Sequence, residues 1–279
     1  MANPGPSQLS GTGGKKVGLA LGGGAARGLA HIGVLQALSS NSIPVHMIAG
    51  TSAGAVVGAA YANQASPQAL KEMASSMGFR DWASLADIRL PHGGLIAGNR
   101  IKSLLKVIIG DVDFKDLKIP FACIACDLYN GEEVIMKEGP VLEAVRASIS
   151  IPLVFLVVKH NGRFLVDGGL VNQVPVNVAR QMGADIVVAV NVIPLHSRRQ
   201  PPKKEPKKAE PGMLGVMLQV IDIANLHIAA TSLEGADVVI SPDTSDFSPT
   251  DFHQARDLII QGEIAGELAI PEIKKALAS

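Results

Sequence analysis

The sequence predicts an α/β fold in which helices cover both faces of a mainly parallel sheet. Short apolar runs, such as "KVGLAL" at 16–21 and "ADIVVAVNV" at 184–192, alternate with longer segments whose apolar residues recur at helical spacing. This alternation is typical of parallel sheets buried between two helical layers. The 279 residues, 47% of them hydrophobic, are enough for one large domain with a full core or for two small ones.

Each element rests on a local pattern. Apolar runs bounded by Gly, Pro or Asn predict strands at 16–21, 45–49, 119–126 and 132–136, two more within 153–169, and others at 184–192 and 236–241. Asn-Gly pairs at 130–131 and 161–162 predict the turns of two hairpins. Apolar residues three and four apart predict helices at 29–38, 53–64, 67–77, 99–109, 140–148, 176–182, 213 to about 233, and about 251–277.

We expect one domain over residues 16–279, preceded by a flexible leader at 1–15. The leader has no apolar core of the kind found in signal peptides, and nothing in the two cysteines requires an oxidising compartment. These features predict a cytoplasmic protein and leave membrane association open. The segment 196–212 holds six Lys or Arg residues, four Pro and no large apolar residue, which predicts a disordered basic loop.

The charge balance and the low aromatic content argue against nucleic acid as a partner. Lys plus Arg and Asp plus Glu number 25 each, and aromatic residues make up 4% of the chain. Cys123 and Cys126 form a lone CxxC in a predicted strand. Zinc sites usually need four ligands, and residues three apart on a strand point to opposite faces. We therefore interpret the pair as two core residues and expect no metal.

The run of small residues "GTSAG" at 50–54 lies between a predicted strand and a predicted helix. Such a tight turn strains the backbone at Ser52 and leaves room only for small neighbours, here Gly50 and Gly54. It would present the Ser52 hydroxyl at a helix N-terminus as a nucleophile. The alternative is a serine that caps the helix in a glycine-rich turn.

The segment "LGGGAARG" at 21–28 also separates a strand from a helix. One interpretation is a dinucleotide-binding turn, which is weakened because Ala25 stands where the middle glycine of G-x-G-x-x-G would be. The other is an oxyanion hole, in which consecutive glycines direct several backbone N–H groups at one point. Since both loops follow strands, we expect them at one edge of the sheet, where a serine and a donor loop could meet on one carbonyl group.

Asp167 ends a predicted hairpin strand and precedes Gly168 and Gly169. It is either an ordinary turn residue or the base for Ser52. Serine hydrolases normally use histidine, and His227 and His253 come late enough in the chain for the order Ser, Asp, His. Neither has a glycine turn or a strand end to position it, so we favour Asp167 as the base.

Four motifs together resemble those of the patatin-like phospholipases in their order and separations. They are "GGGAARG", "GTSAG", "RASISIPLVF" at 146–155 and "DGG" at 167–169, and the resemblance covers about residues 16–275. Each motif is weak alone, and four in order are specific. The resemblance implies a bacterial member of a family with a three-layer α/β/α sandwich, which hydrolyses acyl esters through a Ser–Asp dyad without histidine or cofactor.

Carried over to this chain, the resemblance makes Ser52 the nucleophile and Asp167 the general base. It implies an oxyanion hole with Arg27 beneath or beside it, formed by Gly22, Gly23 and Gly24. The motif glycines are Gly50, Gly54, Gly168 and Gly169. The implied substrate is a phospholipid, a lysophospholipid or another fatty-acyl ester.

The chain departs from the family at Ala25, where many members have glycine. If that position needs a positive φ, alanine would be strained, and we expect instead a slightly different loop. A non-catalytic or weakly catalytic regulatory protein of the same fold is the alternative function. A homodimer stays open as well.

The segment 213–230 is apolar around most of its circumference. We interpret it as a core helix, because helices that are apolar all round are usually buried. The alternative is that this helix and the basic loop before it form a membrane-facing entrance, since each Lys or Arg near an anionic surface contributes roughly 1 kcal/mol.

Overall fold

A sheet of eight strands forms the centre of the protein in the computed structural model, which describes residues 14–77, 99–194 and 212–279. The strands are β1 (Val17–Leu21), β2 (Met47–Thr51), β3 (Phe121–Asp127), β4 (Glu133–Met136), β5 (Val158–His160), β6 (Arg163–Asp167), β7 (Ile186–Val190) and β8 (Val238–Ile240). Hydrogen-bonded partners follow one another along the path β5-β6-β3-β2-β1-β7-β8, and β4 also pairs with β3, on the edge opposite to β2 and β6. The predicted leader and basic loop fall almost entirely at 1–13 and 195–211, outside the described residues.

Five strands run parallel, which confirms the mainly parallel sheet. β1 pairs with β2 on one side and with β7 on the other, β2 continues to β3 and β7 to β8. Ala20 lies opposite Ala49 and Leu21 opposite Gly50. The ends of β1 and β2 are therefore side by side, as predicted, and the loops that follow them leave from one edge of the sheet.

Helices cover both faces of this sheet. Those in the described ranges are α1 (Ala30–Ser40), α2 (Ala53–Ala62), α3 (Pro67–Ser76), α4 (Asn99–Ile109), α5 (Val141–Ser148), α6 (Val176–Gln181), α7 (Met213–Ser232) and α8 (Ala255–Ala278). The larger apolar core lies between the sheet and α1 to α5 with α8, and a smaller core lies under α6 on the other face. This is the expected α/β/α arrangement.

The two predicted hairpins differ in their turns. Asn161 and Gly162 form the two-residue turn between β5 and β6, both with positive φ, as predicted. The strands β3 and β4 are instead joined by a longer loop, so the two-residue turn predicted at 130–131 is wrong. The reason is local: Asp127 accepts backbone N–H groups from both Tyr129 and Gly131, which widens the turn.

The helices α1 and α8 touch backbone to backbone. A Cβ atom on Gly33 would lie 1.9 Å from the Ile259 carbonyl oxygen, and one on Gly262 would lie 1.8 Å from that of Ala30. Close packing at this point holds the start of α1, which directly follows the glycine-rich segment at 22–28. The position of that loop is therefore tied to the C-terminal helix.

Cys123 and Cys126 are buried free thiols on β3, which confirms the prediction of two core residues. Cys123 belongs to the larger apolar core, and burial raises the pKa of its thiol. Within the described ranges, no group of three or more His, Cys, Asp or Glu side chains is arranged to hold a metal ion.

The interpretation of 213–230 as a core helix is wrong. Along α7 an outer stripe of large apolar side chains is exposed: Met213, Val216, Met217, Val220 and Ile223. The opposite side of the helix carries the residues that contact the rest of the protein, and among them Ala229 is fully buried. One side of the helix therefore packs against the protein, and the other side is exposed. No helix in the described parts of the chain is long and apolar enough to cross a membrane.

Candidate active site

Two strands meet end to end on one edge of β3. β2 pairs with residues 121–124 of β3, β6 with residues 125–127, and β4 with residues 123–126. A strand has two edges, and the register of β4 overlaps both of the others, so β2 and β6 must share the remaining edge. They run in opposite directions along it, and their carboxyl ends meet where Thr51 faces Ile124 and Asp167 faces Ala125.

This register brings together the predicted nucleophile and base. The Ser52 hydroxyl donates a hydrogen bond to Asp167 Oδ2 at 2.6 Å. The other carboxylate oxygen, Oδ1, accepts from the Gly169 N–H at 2.8 Å. Both side chains are almost closed off from solvent, at 6% exposed for Ser52 and 7% for Asp167. The contact is short enough for direct proton transfer from the serine to the carboxylate.

The backbone of Ser52 is strained and is held by its neighbours. Its φ of 51° and ψ of −119° lie outside the common regions for a non-glycine residue. The Ser52 N–H donates to Ser148 Oγ at 2.9 Å, and the Thr51 hydroxyl donates to the Asn172 carbonyl at 2.8 Å. The Ser52 side chain makes no capping hydrogen bond to α2. Its hydroxyl is therefore directed at Asp167 and not used as a helix cap.

Small residues let the turn after β2 sit against the loop after β1. A Cβ atom on Gly54 would lie 2.1 Å from the Leu21 carbonyl oxygen, and one on Gly50 would lie 2.7 Å from that of Gly54. A Cβ atom on Gly23 would lie 3.2 Å from the Ser52 Cβ atom. The two loops are in contact, as predicted from the strand–glycine–helix pattern.

Two backbone N–H groups of the glycine-rich loop donate hydrogen bonds to other parts of the chain. The Gly22 N–H donates to the Val190 carbonyl and the Gly23 N–H to the Gln173 carbonyl, each at 3.0 Å. The N–H groups of Gly24 and Ala25 make no hydrogen bond among the described residues. Of the three glycines predicted to form an oxyanion hole, Gly22 and Gly23 therefore have N–H groups that are already hydrogen-bonded, whereas Gly24 does not.

Ala25 occupies a left-handed backbone conformation, with φ at 49°. The alanine thus takes up a conformation that favours glycine, which meets the condition for strain at this position. The segment is held by the Ala26 N–H, which donates to the Pro249 carbonyl, and by the Arg27 N–H, which donates to the Gly24 carbonyl. These bonds fix the loop while the alanine bears the strain.

Arg27 lies beside this loop, as the family resemblance implies, and it is buried. Its Nε donates to the Phe247 carbonyl at 2.9 Å, and its Nη1 lies 3.5 Å from Asp222 Oδ1 on α7. These contacts connect the loop to α7 and to the segment before α8. They indicate that Arg27 positions the loop.

His31 supports the same loop from below. It is completely buried, and its Nε2 lies 2.7 Å from the Gly22 carbonyl oxygen, to which it can donate. Burial lowers the pKa of His31 to about 4, so the ring is neutral near neutral pH. Neither His31 nor a late histidine is the partner of the Ser52 hydroxyl, which donates to the Asp167 carboxylate. His227, one of the two late histidines, is exposed on α7.

The electrostatics of Asp167 suit a base. Burial raises the pKa of this carboxyl group to about 6, although the hydrogen bonds from Ser52 and Gly169 act in the opposite direction. The carboxylate is therefore a stronger proton acceptor than an ordinary aspartate and still mostly ionised at neutral pH.

Several supporting residues were not predicted from the sequence. Ser148 holds the Ser52 N–H, and the Ser150 carbonyl accepts the Asp167 N–H at 3.0 Å. Arg146 donates to Ser150 Oγ at 2.7 Å and lies over the Phe155 ring. All four belong to "RASISIPLVF", a segment for whose individual residues the sequence predicts no role. Gln173 also lines the site, and its sequence position carries no signal of this.

Several known proteins resemble this chain in sequence. Residues 19–180 match the family model described as patatin-like phospholipase. An uncharacterized NTE family protein of Mycobacterium tuberculosis is 36% identical over 192 residues, which are 69% of this chain and 53% of that protein. Human patatin-like phospholipase domain-containing protein 6 is 33% identical over 189 residues, 64% of this chain and 13% of that protein.

Among solved structures, VipD from Legionella pneumophila matches with a TM-score of 0.61 at 13% identity, covering 96% of this chain and 68% of that one. At this identity the likeness concerns the fold alone. The chain spans about half the length of the mycobacterial relative and a smaller part of the human one.

We predict that Ala25→Gly raises the free energy of unfolding by about 0.5–1 kcal/mol. Relief of the left-handed conformation is worth roughly 1–2 kcal/mol and exceeds the roughly 0.5–1 kcal/mol that the extra flexibility of glycine costs. Urea denaturation measures the difference. The matched control is Ala69→Gly at an exposed position of α3, which should lower the free energy of unfolding. If both variants lost the same free energy of unfolding, Ala25 would not be strained.

Proposed function

Because the chain belongs to the patatin-like phospholipase family, we propose that it is a serine acyl hydrolase that cleaves fatty-acyl esters with Ser52 as nucleophile and Asp167 as general base. The observation that carries the proposal is the 2.6 Å hydrogen bond between the strained serine and a buried carboxylate of raised pKa. Family membership supports a lipid hydrolase, and the dyad is the more specific part of the proposal.

In the first step the Ser52 oxygen attacks the ester carbonyl carbon while its proton moves to Asp167 Oδ2. The tetrahedral intermediate then expels the alcohol, which takes the proton back from Asp167, and an acyl-serine remains. An ordinary aspartate is a weak base for a hydroxyl group. Burial raises the pKa of Asp167 and so makes it a stronger base. Hydrogen bonds to the developing oxyanion supply the remaining stabilisation that the proton transfer needs.

The donors for the oxyanion are the N–H groups of Gly24 and Ala25. They are the members of the loop with no acceptor among the described residues, and the loop touches Ser52 through Gly23. Gly24 caps and Ala25 begins the short 3-10 helix Ala25–Leu29, and the first N–H groups of a helix have no partner within the helix. Preorganised donors of this kind contribute roughly 3–4 kcal/mol each in serine hydrolases.

The substrate in this proposal is presented by a lipid surface that α7 contacts. The exposed residues Met213, Val216, Met217, Val220 and Ile223 recur three or four apart and so lie on one face. The inner face carries Asp222, which pairs with Arg27, and Ser232, whose Oγ accepts the Gln173 N–H. A helix resting on lipid through its outer face would hold the dyad close to that surface.

The segment before α7 carries positive charge, which is attracted to an anionic lipid surface. Six Lys or Arg residues occur within 196–212, most of which lies outside the described residues. Each such charge near an anionic surface contributes roughly 1 kcal/mol. The basic segment and the apolar stripe are consecutive in the chain, which is the order expected for a peripheral membrane contact.

We expect Ser52→Ala to abolish hydrolysis of a chromogenic acyl ester and Asp167→Asn to lower kcat at least about a hundredfold, the low end for loss of a general base. His227→Ala and His253→Ala are the controls and should keep most of the activity. Labelling by a fluorophosphonate, followed by mass spectrometry, identifies the nucleophile. A large loss in either histidine variant with Asp167→Asn still active would indicate a conventional triad, and no label on Ser52 would favour the regulatory alternative.

The pH dependence follows from the pKa of Asp167. The carboxylate must be ionised to accept the serine proton, so kcat/KM should fall as the pH drops through about 6 and level off above it. His31, with a pKa lowered to about 4, stays neutral over this range and should not contribute. Rates between pH 5 and 8, corrected with Ser52→Ala as the blank, test this. A profile that stays flat down to pH 5 would contradict it.

Val216→Glu combined with Val220→Glu should weaken binding to vesicles containing anionic lipid by at least about tenfold, because burying one such side chain is worth roughly 1.5 kcal/mol. Sedimentation of the vesicles measures the bound fraction. Ile264→Glu on α8 is the matched control, since Ile264 is also an exposed apolar residue on a helix. Equal effects of both changes, or no effect of either, would refute a specific contact through α7. Hydrolysis of a short soluble ester should be unchanged.

A further inference from the structure

Two buried side-chain oxygens without a hydrogen-bond partner lie beside Asp167. They are Gln173 Oε1 and Asn225 Oδ1, two of the three such oxygens among the described residues. Measured from the point where a Cβ atom on Gly169 would lie, Gln173 Oε1 is at 2.4 Å, Asp167 Oδ1 at 3.1 Å and Asn225 Oδ1 at 3.5 Å. Three acceptor oxygens, two from the segment 167–173 and one from α7, therefore lie close to Gly169.

Gln173 is held so that its side chain lies between the two catalytic loops. Its carbonyl accepts the Gly23 N–H, and its own N–H donates to Ser232 Oγ at 3.2 Å. A Cβ atom on Gly23 would lie 2.9 Å from Gln173 Nε2 and 3.2 Å from the Ser52 Cβ atom. The side chain is 1% exposed. The amide thus reaches from the loop that contacts Ser52 to the turn that follows Asp167.

An unpaired buried oxygen is costly in a folded protein. Leaving one without a donor costs roughly 1–3 kcal/mol, and a contact with a Cα–H group, such as that of Gly169, offsets only a small part. Such atoms therefore indicate a partner that binds there. The cluster offers acceptors, so the partner must be a donor. Water fits, since it carries two O–H groups and binds where two to four polar partners converge.

We propose that Gln173 and Asn225 bind the water molecule that hydrolyses the acyl-serine, an inference that rests on the proposed function. Once acylated, Ser52 Oγ has no hydrogen to donate, and Asp167 Oδ2 loses the partner that it has in the free enzyme. The water donates one O–H to Asp167 and shares the other between Gln173 Oε1 and Asn225 Oδ1 in a bifurcated hydrogen bond. A lone pair of the water oxygen then points at the acyl carbon that it attacks.

The water oxygen forms a bond to the acyl carbon while one water proton moves to Asp167. The bond from that carbon to Ser52 Oγ then breaks, Oγ takes the proton from Asp167, and the fatty acid leaves. During acylation the departing alcohol, not water, is the proton partner of Asp167. The two amide oxygens therefore act in deacylation and are not required for the first step.

The experiment separates the two steps by stopped-flow kinetics with a p-nitrophenyl acyl ester. Gln173→Met keeps the approximate length of the side chain and removes the acceptor, and Asn225→Leu does the same on α7. We expect the burst of nitrophenol to keep its rate within about twofold, while the steady-state rate falls about tenfold or more. Acyl-Ser52 should accumulate and be visible by intact-protein mass spectrometry. Gln219→Met, an exposed glutamine of the same helix, is the matched control and should match the wild type.

Hydroxylamine distinguishes water binding from a structural effect. As a stronger nucleophile it should release the trapped acyl group and restore turnover in both variants. Parallel loss of burst and steady-state rates, or unchanged rates in both variants, would overturn the proposal. So would a slow steady state that hydroxylamine does not rescue. Fluorophosphonate labelling at the wild-type rate confirms that a variant is folded. If the wild-type protein forms no acyl-Ser52 at all, the proposed function itself fails and this inference fails with it.

Discussion

The hydrogen bond from Ser52 to Asp167 depends on how β3 is shared. A strand with two edges accommodates three partners here, and the only arrangement that the registers allow puts β2 and β6 on the same edge. One is parallel to β3 and the other antiparallel, so their last residues face adjacent positions of β3. Neighbouring positions on a strand are about 3.3 Å apart, which is the scale of a hydrogen bond. Residues 115 apart in sequence are brought into contact in this way.

Around this contact the protein holds several unfavourable features in place. Ser52 and Ala25 have positive φ values, and Asp167 is a carboxylate in a site that disfavours its charge. Each is fixed by bonds from elsewhere in the chain, including those from Ser148 to the serine backbone and from His31 to the glycine-rich loop. Strain and a raised pKa are costs in stability, and both are properties that a nucleophile and its base require.

Helix α7 connects the site with the outside of the molecule. Its inner face bears Asp222, which pairs with Arg27 beside the glycine-rich loop, and Asn225, which lies by the turn after Asp167. Its outer face is apolar and exposed. One helix therefore touches both loops of the candidate site with one side and exposes an apolar stripe on the other.

By itself the sequence determined the α/β class, most of the elements, the tight turn at Ser52 and the aspartate before two glycines, because these depend on local periodicity and on the small size of a few residues. The tertiary structure decided the rest. Which amides of the loop keep free N–H groups follows from their pairing with Val190 and Gln173, on distant parts of the chain. The exposure of α7 could not be read from its composition, because an apolar helix is buried only where other elements cover it, and here one face has none of the described residues over it.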